Sequence, residues 1–138
     1  MGYAALAIKL WPLARKYGPK VIVAVASLFK VYDKSPQAKK FADDALGRLR
    51  KASRHGRVGA EIGLAKEFAT DALREESLPE RQELARTWLQ RAKVLEMAVR
   101  ASQKMPRKGA KLRVAEVAVK ADGLLAEIIE TRGKWSES

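Results

Sequence analysis

The chain has 138 residues, 47% of them hydrophobic and 32% charged, with a formal net charge of +12 and no cysteine. That size and balance predict one folded domain around one core, well away from the composition of disordered chains. The lack of cysteine excludes disulfides, thiolate metal sites and cysteine nucleophiles, and it permits a reducing, cytoplasmic setting.

The charge is unevenly spread. Residues 1–57 hold thirteen Lys or Arg against Asp33, Asp43 and Asp44, for a net +10, whereas the rest holds fifteen basic against thirteen acidic side chains, for +2. A surplus concentrated in one portion predicts an anionic partner.

In chain order, Tyr3 to Tyr17 reads as a first helix, kinked near Pro12 because proline removes a backbone donor and crowds the preceding turn. Gly18-Pro19 ends it, and Pro19 suits the first turn of the next helix. That second helix, about Pro19 to Asp33, is apolar nearly all round apart from Lys20, Ser27, Lys30 and Lys34. Such a helix is either central to a core or dipped into lipid. Its apolar run, Val21 to Phe29, is about nine residues long where a bilayer-crossing helix needs roughly 20, so it is not expected to span. Tyr3 to Ile8 is apolar ahead of the first lysine, and Lys30-Val31-Tyr32-Asp33 follows the run, which is not the layout of a signal peptide.

Ser35-Pro36 restarts the helix, with serine as N-cap and proline as first helical residue. The third helix spaces Ala38, Phe41, Ala42, Ala45, Leu49 and Ala52 by three and four, leaving Lys39, Lys40, Arg48, Arg50 and Lys51 on the remaining surface. Arg54-His55-Gly56-Arg57 predicts a break before a fourth helix from Val58 to about Glu76. Ser77-Leu78-Pro79-Glu80 has the form of a capping box, in which side chains satisfy the unpaired N–H groups of a helix start. The fifth helix then sets Ala85, Trp88, Ala92, Leu95, Val99 and Ser102 on one seam, which implies antiparallel packing. After a connector at Met105-Pro106 and Lys108-Gly109, Val114, Val117, Ala121, Leu124 and Ile128 repeat the seam to about Thr131.

The expected architecture is therefore an all-α bundle of five to six helices. It divides into an apolar and basic N-terminal helical segment (residues 1–34), an amphipathic bundle (35–132) and a short tail (133–138). The pattern leaves open whether the N-terminal helices join the core or form a separate hairpin, because the same apolar residues serve either arrangement.

Catalysis needs groups that are missing here. His55, the single histidine, stands among Arg54, Gly56 and Arg57 with no carboxylate to orient it, and it reads as a surface loop residue. One histidine cannot build the Glu-x-x-His pairs of a bundle metal site. Asp43-Asp44, Glu75-Glu76 and Glu80 with Glu83 read as solvated faces and helix-start charges. Gly56, Gly59 and Gly63 lack the following Lys-Ser/Thr of a phosphate loop, and Gly59-x-x-x-Gly63 reads instead as a place of close helix approach. The chain is expected not to be an enzyme and to use no metal, cofactor or small-molecule substrate.

Three kinds of partner fit. For an anionic membrane surface, Trp11, Leu13, Val21, Ile22, Val25 and Phe29 would enter the acyl boundary while Lys9, Arg15, Lys16 and Lys20 meet head groups. For sequence-independent nucleic-acid binding, the residues are Lys39, Lys40, Arg48, Arg50, Lys51, Arg54 and Arg57, joined by Arg107, Lys108 and Lys111 in a stretch without acid between Met97 and Ala115. A structural scaffold or adaptor, as a homo-oligomer or with a helical protein partner, would use Trp135, an aromatic with no evident cover. The leading expectation is a non-catalytic cationic protein, cytoplasmic and peripheral to the inner face of the membrane; nucleic acid is the alternative.

Overall fold

The computed structural model describes residues 16–52 and 56–137. These form five helices: α1 (Pro19–Val31), α2 (Pro36–Ala52), α3 (Arg57–Glu75), α4 (Pro79–Ser102) and α5 (Arg107–Glu137). The protein is all-α over this range, and the described residues include no strand.

The helix starts show how local chemistry sets the boundaries. Ser35 caps α2, its Oγ accepting the Ala38 N–H at 3.0 Å, and Pro36 follows as first helical residue. The expected capping box before α4 does not form. Leu78 occupies the cap with no side-chain cap bond, and the Gln82 amide donates to the Glu76 carbonyl at 2.9 Å while Arg81 bonds Glu76 Oε1 at 2.7 Å. Pro79 in the first turn has already removed one donor in need of a cap, so the serine is not required there.

α5 is the central post, packing against each of the other four helices. Arg132 donates to the Phe68 carbonyl and Trp88 to Glu127, while Ser35 meets Ser136 and Tyr17 meets Leu49. These pairings make α1, α3 and α5 run one way and α2 and α4 the other. Being covered on several sides, the second half of α5 buries adjacent residues in two runs, Leu124, Leu125 and Ala126, then Ile128 and Ile129, either side of exposed Glu127. A single seam is thus too narrow a description of this stretch. The helix also continues through the residues read as a tail, because Gly133 lies against Leu28 and the Trp135 ring against Trp88 at 5.4 Å.

α1 packs chiefly along α5 and secondarily against α2. Val21, Ala24, Val25, Leu28 and Phe29 belong to one apolar cluster shared by all five helices. The described part of the 1–34 segment is integrated with the bundle, and it does not stand apart.

Close approach occurs at Gly133, where an added Cβ would meet Leu28 Cδ2 at 2.6 Å, and not at Gly59 or Gly63, which face open space. Gly133→Ala is expected to lower stability by about 1–3 kcal/mol by overpacking a fully covered contact. Gly59→Ala and Gly63→Ala should each raise it by about 0.5–1 kcal/mol through helix propensity alone. Urea denaturation of the three variants checks the contrast.

Candidate functional site

Lys9, Trp11, Leu13 and Arg15 lie outside the described residues. Of the others first assigned to a membrane, Lys16 and Lys20 are exposed, Ile22 is half-buried, and Val21, Val25 and Phe29 are buried. The apolar face of α1 therefore turns inward in the folded chain, with Val23 an exposed large apolar side chain. The physical reason is the apolar girth of α5, which needs cover that α1 supplies. No helix among the described residues is long and apolar enough to cross a membrane.

The set first assigned to nucleic acid divides in space. Arg48 is a structural residue: it bridges Asp71 at 2.7 Å and Asp44 at 3.1 Å, and its guanidinium covers the Phe68 ring at 5.3 Å. Arg57 is exposed and donates to Glu61, while Arg54, with His55, lies outside the described residues. Lys39, Lys40, Arg50, Lys51, Arg107, Lys108 and Lys111 are exposed. Lys39 and Lys40 sit near the end of α5, where Ser35 bonds Ser136, whereas Arg107, Lys108 and Lys111 begin it. A helix of 31 residues separates those ends by about 45 Å, so they do not make one surface.

The second cluster is the stronger one. α4 and α5 form an antiparallel pair joined at residues 103–106, where Lys104 N–H bonds Ala101 O and Met105 N–H bonds Ser102 O. No residue of α5 from Arg107 to Glu116 is buried. On this end Arg100, Lys104, Arg107, Lys108, Lys111 and Arg113 are all exposed, and no acid lies between Met97 and Ala115. Arg100 reaches Glu96 and Arg113 reaches Glu116, each at 3.5 Å. Lys104, Arg107, Lys108 and Lys111 make no ion pair among the described residues. Met97 and Leu112 stand among these cations with 65% and 66% of their surface exposed, and Met105 with 43%.

At the start of α5 the electrostatics oppose the fold, whereas Arg100 in the last turn of α4 complements that helix's negative end. The start of a helix carries partial positive charge and favours acids, yet the first turn of α5 has none and carries Arg107 and Lys108, with Lys111 just beyond. Residues placed against the helix dipole do not serve stability. Cations and exposed thioether and leucyl groups at one end suit an anionic partner that also has an apolar layer.

A groove of about 540 Å³ lies between α2, α3 and the end of α5. Most of its charges are occupied: Arg132 bonds Glu75 at 3.0 Å, Arg81 bonds Glu76, and the Arg132 and Arg81 guanidinium groups cover the rings of Phe41 and Trp135 at 4.9 and 5.0 Å. Burial holds the Arg132 pKa below its ordinary value, with Glu75 and Asp71 opposing that shift. The groove is a pinning network for the end of α5. No group of three or more His, Cys, Asp or Glu side chains able to hold a metal occurs among the described residues.

Sequence reasoning identified Arg107, Lys108 and Lys111 but gave them to the secondary reading, and it did not single out Met97, Met105 or Leu112. Their signal is an apolar residue inside an acid-free basic run, visible in the sequence once the run is placed at a helical turn. The fold and this end together define an all-helical, cationic bundle. The chain matches no protein-family model, no curated protein and no solved structure.

Proposed function

We propose that the protein is a non-catalytic helical bundle that docks on the cytoplasmic face of an anionic membrane through the end where α4 turns into α5. The observation that carries this reading is the run of six exposed cations, without acid, interleaved with exposed Met97, Met105 and Leu112. Lipid phosphates take the ammonium and guanidinium groups, and the acyl boundary takes the three apolar side chains. A phosphate backbone rewards the cations alone, which is why lipid is favoured over nucleic acid. The membrane-facing residues thereby move from α1 to the α4–α5 end.

The test is co-sedimentation of the full chain, in parallel, with phosphatidylserine-containing vesicles, phosphatidylcholine vesicles and duplex DNA across a salt series. Binding to the anionic vesicles that weakens with salt but keeps a residual, salt-resistant part is expected, with little on phosphatidylcholine. Retention by DNA alone, lost steeply as salt rises, would overturn the membrane reading in favour of nucleic acid.

A further inference from the structure

Where α1 begins, two acids from different helices hold it down. Asp122 of α5 is buried and spends both oxygens on the first turn of α1: Oδ2 accepts the Lys20 N–H at 3.0 Å and Oδ1 the Val21 N–H at 3.2 Å. Glu61 of α3 has only 1% of its surface exposed. Its Oε1 accepts the Gly18 N–H and the Arg57 Nε–H, both at 3.3 Å. Its Oε2 has no hydrogen-bond partner among the described residues.

We propose that Glu61 and Asp122 form a latch that fixes the start of α1 to α3 and α5, operated by the Glu61 carboxyl: tight while Glu61 carries its proton and looser once it is ionised. The proposal is independent of the membrane reading. A buried carboxylate with one oxygen lacking any donor is poorly solvated, whereas a carboxyl places its proton on that oxygen and removes the charge. Burial and then the neighbouring Asp122 charge push Glu61 up to about 7, against the hydrogen bonds and charge of Arg57 and the Gly18 N–H.

Among the described residues the groups facing Glu61 are few. Arg57 lies on its own helix and is itself half exposed, Asp122 comes from α5, and the Tyr17 hydroxyl precedes α1, its pKa raised to about 12 by burial and by Glu61. From α2 the Leu49 carbonyl accepts the Tyr17 hydroxyl at 2.6 Å and brings no charge. Among the described residues a second negative charge here has Arg57 to oppose it, and its relief is water.

Water enters by lifting Tyr17 to Val21, because Gly18 is packed so closely on the Asp122 carboxyl that any Cβ there would collide with it. α1 has no side-chain cap of its own at Gly18, so lifting it leaves the Lys20 and Val21 amides unpaired. The sign follows from linkage: a carboxyl raised by folding tightens the closed form in acid, and that advantage is lost as pH climbs from the ordinary glutamate range through 7.

Hydrogen exchange read by NMR at single amides tests this. After correction for intrinsic exchange, protection of Lys20 and Val21 is expected to fall by about 80-fold between pH 4.5 and 7 and to level off only about a unit higher, while amides around Trp88 in α4 change far less. Glu61→Gln should hold protection near its acid value across the range. A flat profile in the unmodified chain, or an undiminished pH dependence in Glu61→Gln, would overturn the latch. Should that variant fail to fold, carbon-13 titration of the Glu61 carboxyl decides: a midpoint near 7 supports the latch and one below 5 removes it.

Discussion

Replacing Lys104, Arg107, Lys108 and Lys111 together with alanine should weaken binding to anionic vesicles by nearly three orders of magnitude. Each cation close to an anionic leaflet contributes about 1 kcal/mol, and four such losses, at about 1.4 kcal/mol per decade, approach 10³-fold. Stability should hold or rise slightly, since all four are exposed without ion pairs among the described residues and three crowd the positive end of α5. Lys39→Ala with Lys40→Ala, at the far end of the same helix, should leave vesicle binding almost unchanged. Leu112→Ser with Met97→Ser should abolish the salt-resistant part and spare the salt-sensitive part. Equal losses from the two lysine sets would show that binding follows net charge and has no site.

The elements whose legibility depended on local rules came through the sequence well. Ser35-Pro36 restarts a helix because a hydroxyl cap and a missing amide suit that position whatever surrounds it, and the Ala85-to-Ser102 seam has its principal residues, Trp88, Ala92 and Leu95, buried. The face of α1 was not legible. Val21, Val25 and Phe29 read the same whether lipid or α5 covers them, and only the tertiary contact decides. Arg48 looked like one more basic surface residue, since its partners Asp71 and Phe68 lie on a different helix.

The site was half legible for a related reason. A run without acids is a fact of sequence, and so the cations were noted, but their exposure at a turn, against the helix dipole, depends on how far the other helices extend along α5. The latch was hidden altogether. Glu61 and Asp122 are unremarkable acids on separate helices, and their importance arises from Gly18 bringing the chain down onto both. Trp135 looked uncovered because a helix ending near Thr131 would leave it in a tail.

That tryptophan leads to the largest expected loss of stability. Trp88→Ala should destabilise the protein by about 3–5 kcal/mol in urea denaturation, the range for deleting a large aromatic from a packed core. Trp88 has no exposed surface, and it joins three things: the α4 seam, the Glu127 carboxylate at 2.7 Å and the Trp135 ring. Collapse into the space is limited because α3 and α5 are pinned to each other nearby through Arg132 and Glu75. The damage should also travel along α5. Without the ring beneath it, Trp135 loses its stacking contact, so amides from Gly133 to Glu137 should exchange faster. Trp88→Phe separates the contributions: it keeps most of the packing but leaves Glu127 to Arg91 alone, and its cost should be nearer 1–2 kcal/mol. If Trp88→Ala cost less than about 1 kcal/mol, α4 would not be held to α5 by this contact, and the rigid support of the cationic end would have to come from elsewhere.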